Sequence, residues 1–241
     1  MITKKHGKGK SVLLNLAIGN YYSVTLGGVG GEEEITKSGS NVTREAFRKL
    51  AEPLIREKCR IPFEVTGVAG PLLLFRRDGE NYYAGLLPKF GDAPSYSSLK
   101  PADARLKFPV RGHLYEMRSG RYLGNGSACQ LKVRGGDPVL ISILPEKITG
   151  IDATLPGSWK RGESRKVGLK VRGGRGNHVF RIEIRDPEGV LPGGYAWNIY
   201  APAANASFDF QFACSDKQGK WQIRVRDVDS GVTREFPVDL K

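Results

Sequence analysis

Four runs in the last third of the chain alternate apolar and polar residues too regularly for a helix: Val167, Leu169 and Val171; Phe180, Ile182 and Ile184; Phe208, Phe210 and Phe212; Trp221, Ile223 and Val225. A side-chain period of two puts every apolar group of such a run on one face, and that face is stable only against a second apolar layer. Polar turns bracket the last run, Asp216–Gly219 before it and Asp227–Gly231 after it, where Asp and Gly favour chain reversal. Ala196–Tyr200 and Thr233–Val238 complete six strands, and Ile148–Leu155 supplies a candidate seventh. Short strands at this spacing over residues 148–241 predict an immunoglobulin-like or fibronectin-like antiparallel sandwich, with Trp221 in its core.

Residues 61–147 repeat the theme in a smaller antiparallel β-domain. Phe63–Val68, Pro71–Arg76 and Asn81–Leu87 are short apolar segments, the last two joined by a hairpin signal at Arg77–Glu80. Arg105–Val110, His113–Met117, Ala128–Val133 and Val139–Leu144 follow, and Pro145–Gly150 reads as a linker into the sandwich. The first 60 residues differ in texture. A basic stretch, Lys4–Lys10, leads into a buried-type strand at Ser11–Ile18. A Gly-rich loop precedes an amphipathic helix over Asn41–Cys59, whose stripe is Phe47, Leu50, Ala51, Leu54 and Ile55 and whose Pro53 predicts a kink. This is a short α/β remnant, so the fold class expected for the whole chain is mainly β.

The formal net charge of +13 invites a polyanion or nucleic-acid partner. Divided along the chain it is +5, +4 and +4 for residues 1–60, 61–150 and 151–241, an even spread that argues against nucleic acid. Outward positions of the sandwich strands do carry Lys170, Arg172, Arg181, Arg185, Arg224 and Arg226, interrupted by Glu183 and Asp209. Cys59, Cys129 and Cys214 are far apart and odd in number, and read as packed thiols. No apolar run reaches the ~20 residues of a membrane-spanning helix, and the basic start lacks a signal-like apolar core with a cleavage site, which leaves localisation open.

Several motifs resemble the C-terminal region of β-galactosidase-like glycoside hydrolases. Gly7–Asn15 (GKGKSVLLN) with Tyr21 is similar to the last strand of the amidotransferase-like α/β domain of that family. His113–Gly124 (HLYEMRSGRYLG) resembles a hairpin of the β-domain that follows it, and Asp186–Gly189 (DPEG), Tyr195–Asn198 (YAWN) and Asp216–Asp227 (DKQGKWQIRVRD) resemble an accessory sandwich. The resemblance implies carbohydrate or the rest of a hydrolase as partner, and a possible homo-oligomer. The catalytic barrel of the family has no counterpart in these motifs, so no catalytic residue is carried over and the chain reads as a non-catalytic accessory region.

The site residues follow the same logic. Glycosidases need two carboxylates flanking the scissile bond, and Asp227 with Asp229, Asp186 with Glu188, and Glu32–Glu34 all fall in polar turns where Asp and Glu serve the backbone. Calcium at Asp216, Asp227 and Asp229 would lack a contiguous oxygen-ligand loop. His6, His113 and His178 are widely separated with no HExxH, which argues against zinc, and neither metal nor cofactor is expected. Exposed aromatics stack on sugar rings, and Trp159, Tyr195 and Trp197 near Gly- and Pro-rich loops form the candidate glycan platform. Tyr82 and Tyr83 are adjacent in one strand, so one of them is expected to point outward.

Overall fold

The computed structural model describes residues 2–7, 9–13, 63–68, 71–88 and 100–241, and the fold is mainly β. Two compact units divide the chain, Met1–Ile61 and Pro62–Lys241. In the first, β1 (Ile2–His6) and β2 (Gly9–Leu13) form an antiparallel hairpin that turns at Gly7, with φ at 57°. The basic leader is therefore itself part of a hairpin. Residues 14–62, which include the expected helix at Asn41–Cys59, lie outside the described residues.

Within the second unit, six strands make one antiparallel sheet: β3 (Glu64–Thr66), β4 (Leu72–Asp78), β5 (Asn81–Leu87), β6 (Ala102–Glu116), β7 (Arg121–Val133) and β8 (Val139–Leu144). Their order is β3-β6-β8-β5-β4, with β7 also paired to β6. The segments expected as two strands, Arg105–Val110 and His113–Met117, are one long strand with a register shift between Lys107 and Gly112. Before the shift β6 pairs with β3, and after it with β8. A bulge of this kind bends a strand so that its halves serve different neighbours. Gly112 permits it: a Cβ there would lie 2.6 Å from the Leu144 carbonyl oxygen. Phe63, Leu86, Leu106, Leu114, Ile141 and Ile143 fill the core of this sheet.

The remaining strands form a sandwich-like pair of sheets. A five-stranded sheet has the order β10-β16-β15-β12-β13, from β10 (Ser158–Trp159), β12 (His178–Arg185), β13 (Ala196–Ala201), β15 (Gly219–Asp227) and β16 (Thr233–Leu240). A three-stranded sheet has the order β14-β11-β9, from β9 (Gly150–Thr154), β11 (Ser164–Arg172) and β14 (Asn205–Gln211). All pairings are antiparallel except β10 with β16, a two-residue parallel contact too short to leave a periodic signal in sequence. The alternation becomes burial directly. Phe180, Ile182, Ile184, Ile223 and Val225 are fully buried, and Trp221 meets Phe212, the residue just past β14, at 5.0 Å between ring centroids.

Pro145–Gly150 is not a free linker. Ile148 is buried, its amide donates to the Tyr115 hydroxyl at 2.9 Å, and the Thr149 amide donates to the Arg172 carbonyl. Tyr115 and Leu144, from the first sheet, belong to the sandwich core, so the two β regions share one apolar seam.

Candidate functional site

The aromatic platform does not assemble. Trp159 is 1% exposed and packs edge-on against Phe212, so it offers no face to a ligand. Tyr195 is half-buried between Phe210 and Trp221, its hydroxyl donating to Asp216. Trp197 stacks on Phe210 at 5.8 Å and is likewise half-buried. The reason is register: Ala196 and Trp197 pair with Glu183 and Ile182, which lays the Trp197 ring along the aromatic row of β14. Neither tyrosine of the Tyr82–Tyr83 pair is free. Tyr82 stacks on Phe75, and Tyr83 points the other way into a contact described below.

The acids and bases are mostly structural. Asp186 accepts from the Glu188 and Val190 amides and so closes its turn, while Glu188 pairs with Lys217 at 2.7 Å. Asp216 accepts from Ala213 and Tyr195, away from any metal-type cluster. Glu32–Glu34 lie outside the described residues. On the outward sheet face Arg181, Arg185 and Arg224 all converge on Glu183, at 3.7, 3.3 and 3.5 Å, and Arg172 pairs with Asp152. Arg226 leaves that face altogether and donates to the Met117 and Arg118 carbonyls of the first sheet. Of the thiols, Cys129 is half-buried, with burial pushing its pKa up to about 11, while Cys214 is exposed rather than packed.

The concentrated chemistry lies in the junction between the two β regions, where Asp227, Asp229 and His178 are all buried. Two turns deliver it. The β15–β16 turn, Asp227–Gly231, is closed by its own backbone, with the Gly231 amide donating to the Asp227 carbonyl at 2.8 Å. It inserts Asp229 under β5 and β8: the Tyr83 hydroxyl donates to the Asp229 Oδ2 at 3.1 Å, and Ser142 Oγ donates to the Asp229 carbonyl. Pairing of β12 with β15 then places His178 beside both acids, with Nδ1 2.9 Å from Asp227 Oδ1 and 3.5 Å from Asp229 Oδ2. The amide and hydroxyl of Ser230 occupy the other Asp227 oxygen. The β4–β5 turn closes the rim: Asn81 Nδ2 donates to the Asn177 carbonyl and Asn177 Nδ2 to Asp78, both at 2.7 Å.

Removal from water and close charged neighbours shift the titration of Asp229 and His178. Burial, reinforced by the Asp227 charge, pushes the Asp229 carboxyl up to about 7. For His178, burial pulls the imidazolium down, but the hydrogen bond to Asp227 and the charges of both acids outweigh it, and its pKa is raised. Burial and the neighbouring Asp229 raise the Tyr83 phenol as well. Asp229 and His178 therefore both hold their protons to higher pH than free side chains do.

Sequence reasoning missed this cluster because His178 and the acids are about fifty residues apart and belong to different turns. One signal was present: a histidine, among the few in the chain, opens a strand whose antiparallel partner ends at Asp227, with Asp229 two residues beyond.

No family model matches the chain, and no curated protein matches its sequence. Among solved structures, a superoxide reductase (neelaredoxin) from Ignicoccus hospitalis aligns over 39% of this chain and 82% of its own, at 9% identity and a TM-score of 0.28. A glycoside hydrolase domain of Endo-D from Streptococcus pneumoniae R6 aligns over 73% of this chain at 10% identity and a TM-score of 0.26. The chain spans 37% of that Endo-D chain. The second is a weak structural likeness to a glycoside hydrolase domain, and at these scores neither carries an argument about function.

Proposed function

We propose that this chain is a non-catalytic accessory region of a glycoside-hydrolase-like protein, a pair of β modules held together as one body, the second of them immunoglobulin-like. One observation carries the reading. The Asp227–Asp229 pair, the acid pair closest to glycosidase chemistry, is sealed at 0% and 3% exposure and occupied by partners from both modules, where a glycosidic bond has no access. The motif resemblance supplies the family. In this reading the role is packing, oligomerisation or glycan contact for a catalytic partner, and the test has two arms. The purified chain is offered chromogenic β-galactosides, and a glycan array with heparin and DNA is read at low and physiological salt. Hydrolysis that disappears in D227N and D229N overturns the proposal; glycan binding that survives salt, with no turnover, supports it.

A second reading, a basic polyanion-binding protein, draws on an open cleft of about 590 Å³ whose lining includes Arg118, Arg121, Lys132 and Arg134 alongside Glu116 and Asp137. It predicts binding that falls steeply with salt, because released counterions drive it. Insensitivity to salt excludes it.

A further inference from the structure

We propose that the junction cluster is a metal site for a zinc-class divalent cation, held by His178 Nδ1, Asp227 Oδ1 and Asp229 Oδ2. The three ligand groups lie within 4.8 Å of one another, and the His178 nitrogen is 2.9 and 3.5 Å from the two carboxylate oxygens. Ligand atoms about 2.0–2.2 Å from a common tetrahedral ion sit roughly 3.2–3.6 Å apart, and the two histidine–carboxylate separations lie within about 0.3 Å of that range. One imidazole nitrogen with two carboxylate oxygens is a mixed donor set that favours a borderline first-row cation over calcium, which takes oxygen alone. Charge points the same way: two carboxylates, a neutral imidazole and a dication sum to zero in a pocket where water cannot screen an excess.

The surroundings have the form of a ligand-orienting shell. The Ser230 amide and hydroxyl hold Asp227 by Oδ2, which turns Oδ1 toward His178, and the Tyr83 hydroxyl fixes Asp229. Outer hydrogen bonds of this kind set the direction of first ligands. Asn81, fully buried, closes the rim by donating from Nδ2 to the Asn177 carbonyl.

Because the ligands come from β12 and the β15–β16 turn while Tyr83, Ser142 and Asn81 come from the first sheet, a bound ion would clamp the junction. The full-length chain, stripped with EDTA and dialysed, is titrated with Zn²⁺, Co²⁺ and Ca²⁺ separately by calorimetry, with metal content measured after desalting. The expected result is one equivalent of Zn²⁺, visible d–d absorption with Co²⁺ of a tetrahedral N/O type, and a melting temperature raised by roughly 5–10 °C at a hundredfold excess over Kd. D229N and H178Q should lose the equivalent, while H113Q, which alters a half-buried histidine outside the cluster, should keep it. Wild-type protein that takes up no Zn²⁺, or binds Ca²⁺ alone, overturns the proposal whether or not the variants fold. Neither result bears on hydrolysis, so the accessory-region reading stands or falls separately.

Discussion

Replacing Gly231 with alanine should damage the junction far more than an equivalent change elsewhere. Gly231 and Gly120 come from different β regions and meet backbone to backbone, both at positive φ, 75° and 70°. A Cβ on Gly231 would lie 2.1 Å from the Gly120 Cα, and one on Gly120 would lie 3.0 Å from the Gly231 Cα. Gly189 has a similar φ of 80° with nothing within 4 Å of its Cβ position, and serves as the control. An L-residue in the left-handed region costs about 1–2 kcal/mol, common to all three. Forcing a carbon into packed backbone adds roughly 1–3 kcal/mol, and a relief of about 0.4–1 kcal/mol from a stiffer unfolded chain again applies equally. Net losses should therefore rank Gly231→Ala above Gly120→Ala above Gly189→Ala. At about 2–4 °C per kcal/mol for a domain of this size, the first should melt roughly 2–12 °C below the last. Circular dichroism melts, with urea titrations to check that the m-value is unchanged, read the difference. Equal melting temperatures for Gly231→Ala and Gly189→Ala would refute the close approach and the docking of the Asp227–Gly231 turn with it.

Trp221→Ala should cost about 3–5 kcal/mol, since the ring is 2% exposed, contacts Phe212 and Tyr195, and donates from Nε1 to the Lys217 carbonyl; an unchanged denaturation midpoint would contradict its place in the core. Tyr83→Phe keeps the ring but removes the hydroxyl from Asp229, a loss of roughly 1–3 kcal/mol by urea denaturation. In metal-free protein the Asp229 carboxyl, raised from its ordinary 3.8 to about 7, retains in the folded state a proton that the unfolded chain releases. Its contribution to stability is therefore full below pH 4 and falls as pH rises toward 7, and His178, also raised, continues the decline above its ordinary 6.5. Chemical denaturation across pH 4–8 should show that slope in the wild type and a shallower one in D229N. Arg224→Ala, at a partly exposed position beside Glu183, should change stability by under about 1 kcal/mol in the same assay.

Much of the fold was legible along the chain because a strand writes its burial into a period of two. Phe180, Ile182 and Ile184 point inward for the same reason that Arg181, Glu183 and Arg185 stay at the surface, and the hairpin at Arg77–Glu80 turns where Gly79 adopts a φ of 59°. What faces a strand, however, is decided by partners that periodicity does not name. Trp159 looked like a loop aromatic until a parallel contact of two residues with β16 carried it into the core. Tyr83 alternates correctly away from the core of its own sheet, yet the far side of that sheet is covered by the Asp229 turn.

The junction cluster shows the limit most clearly. Asp227 and Asp229 have the spacing of ordinary turn acids, and their local chemistry, hydrogen bonds to Ser230 and to backbone, is that of a turn. The raised Asp229 carboxyl comes from removal of water by a second module and from the neighbouring Asp227, while strand pairing brings a histidine across to both acids. Local backbone preference and side-chain alternation are properties of neighbouring residues, so sequence determined the strands, their inward faces and the mainly β class. Dielectric environment and approach of distant groups are properties of the assembled core, so only the tertiary structure could turn three unremarkable side chains into one buried, coupled site.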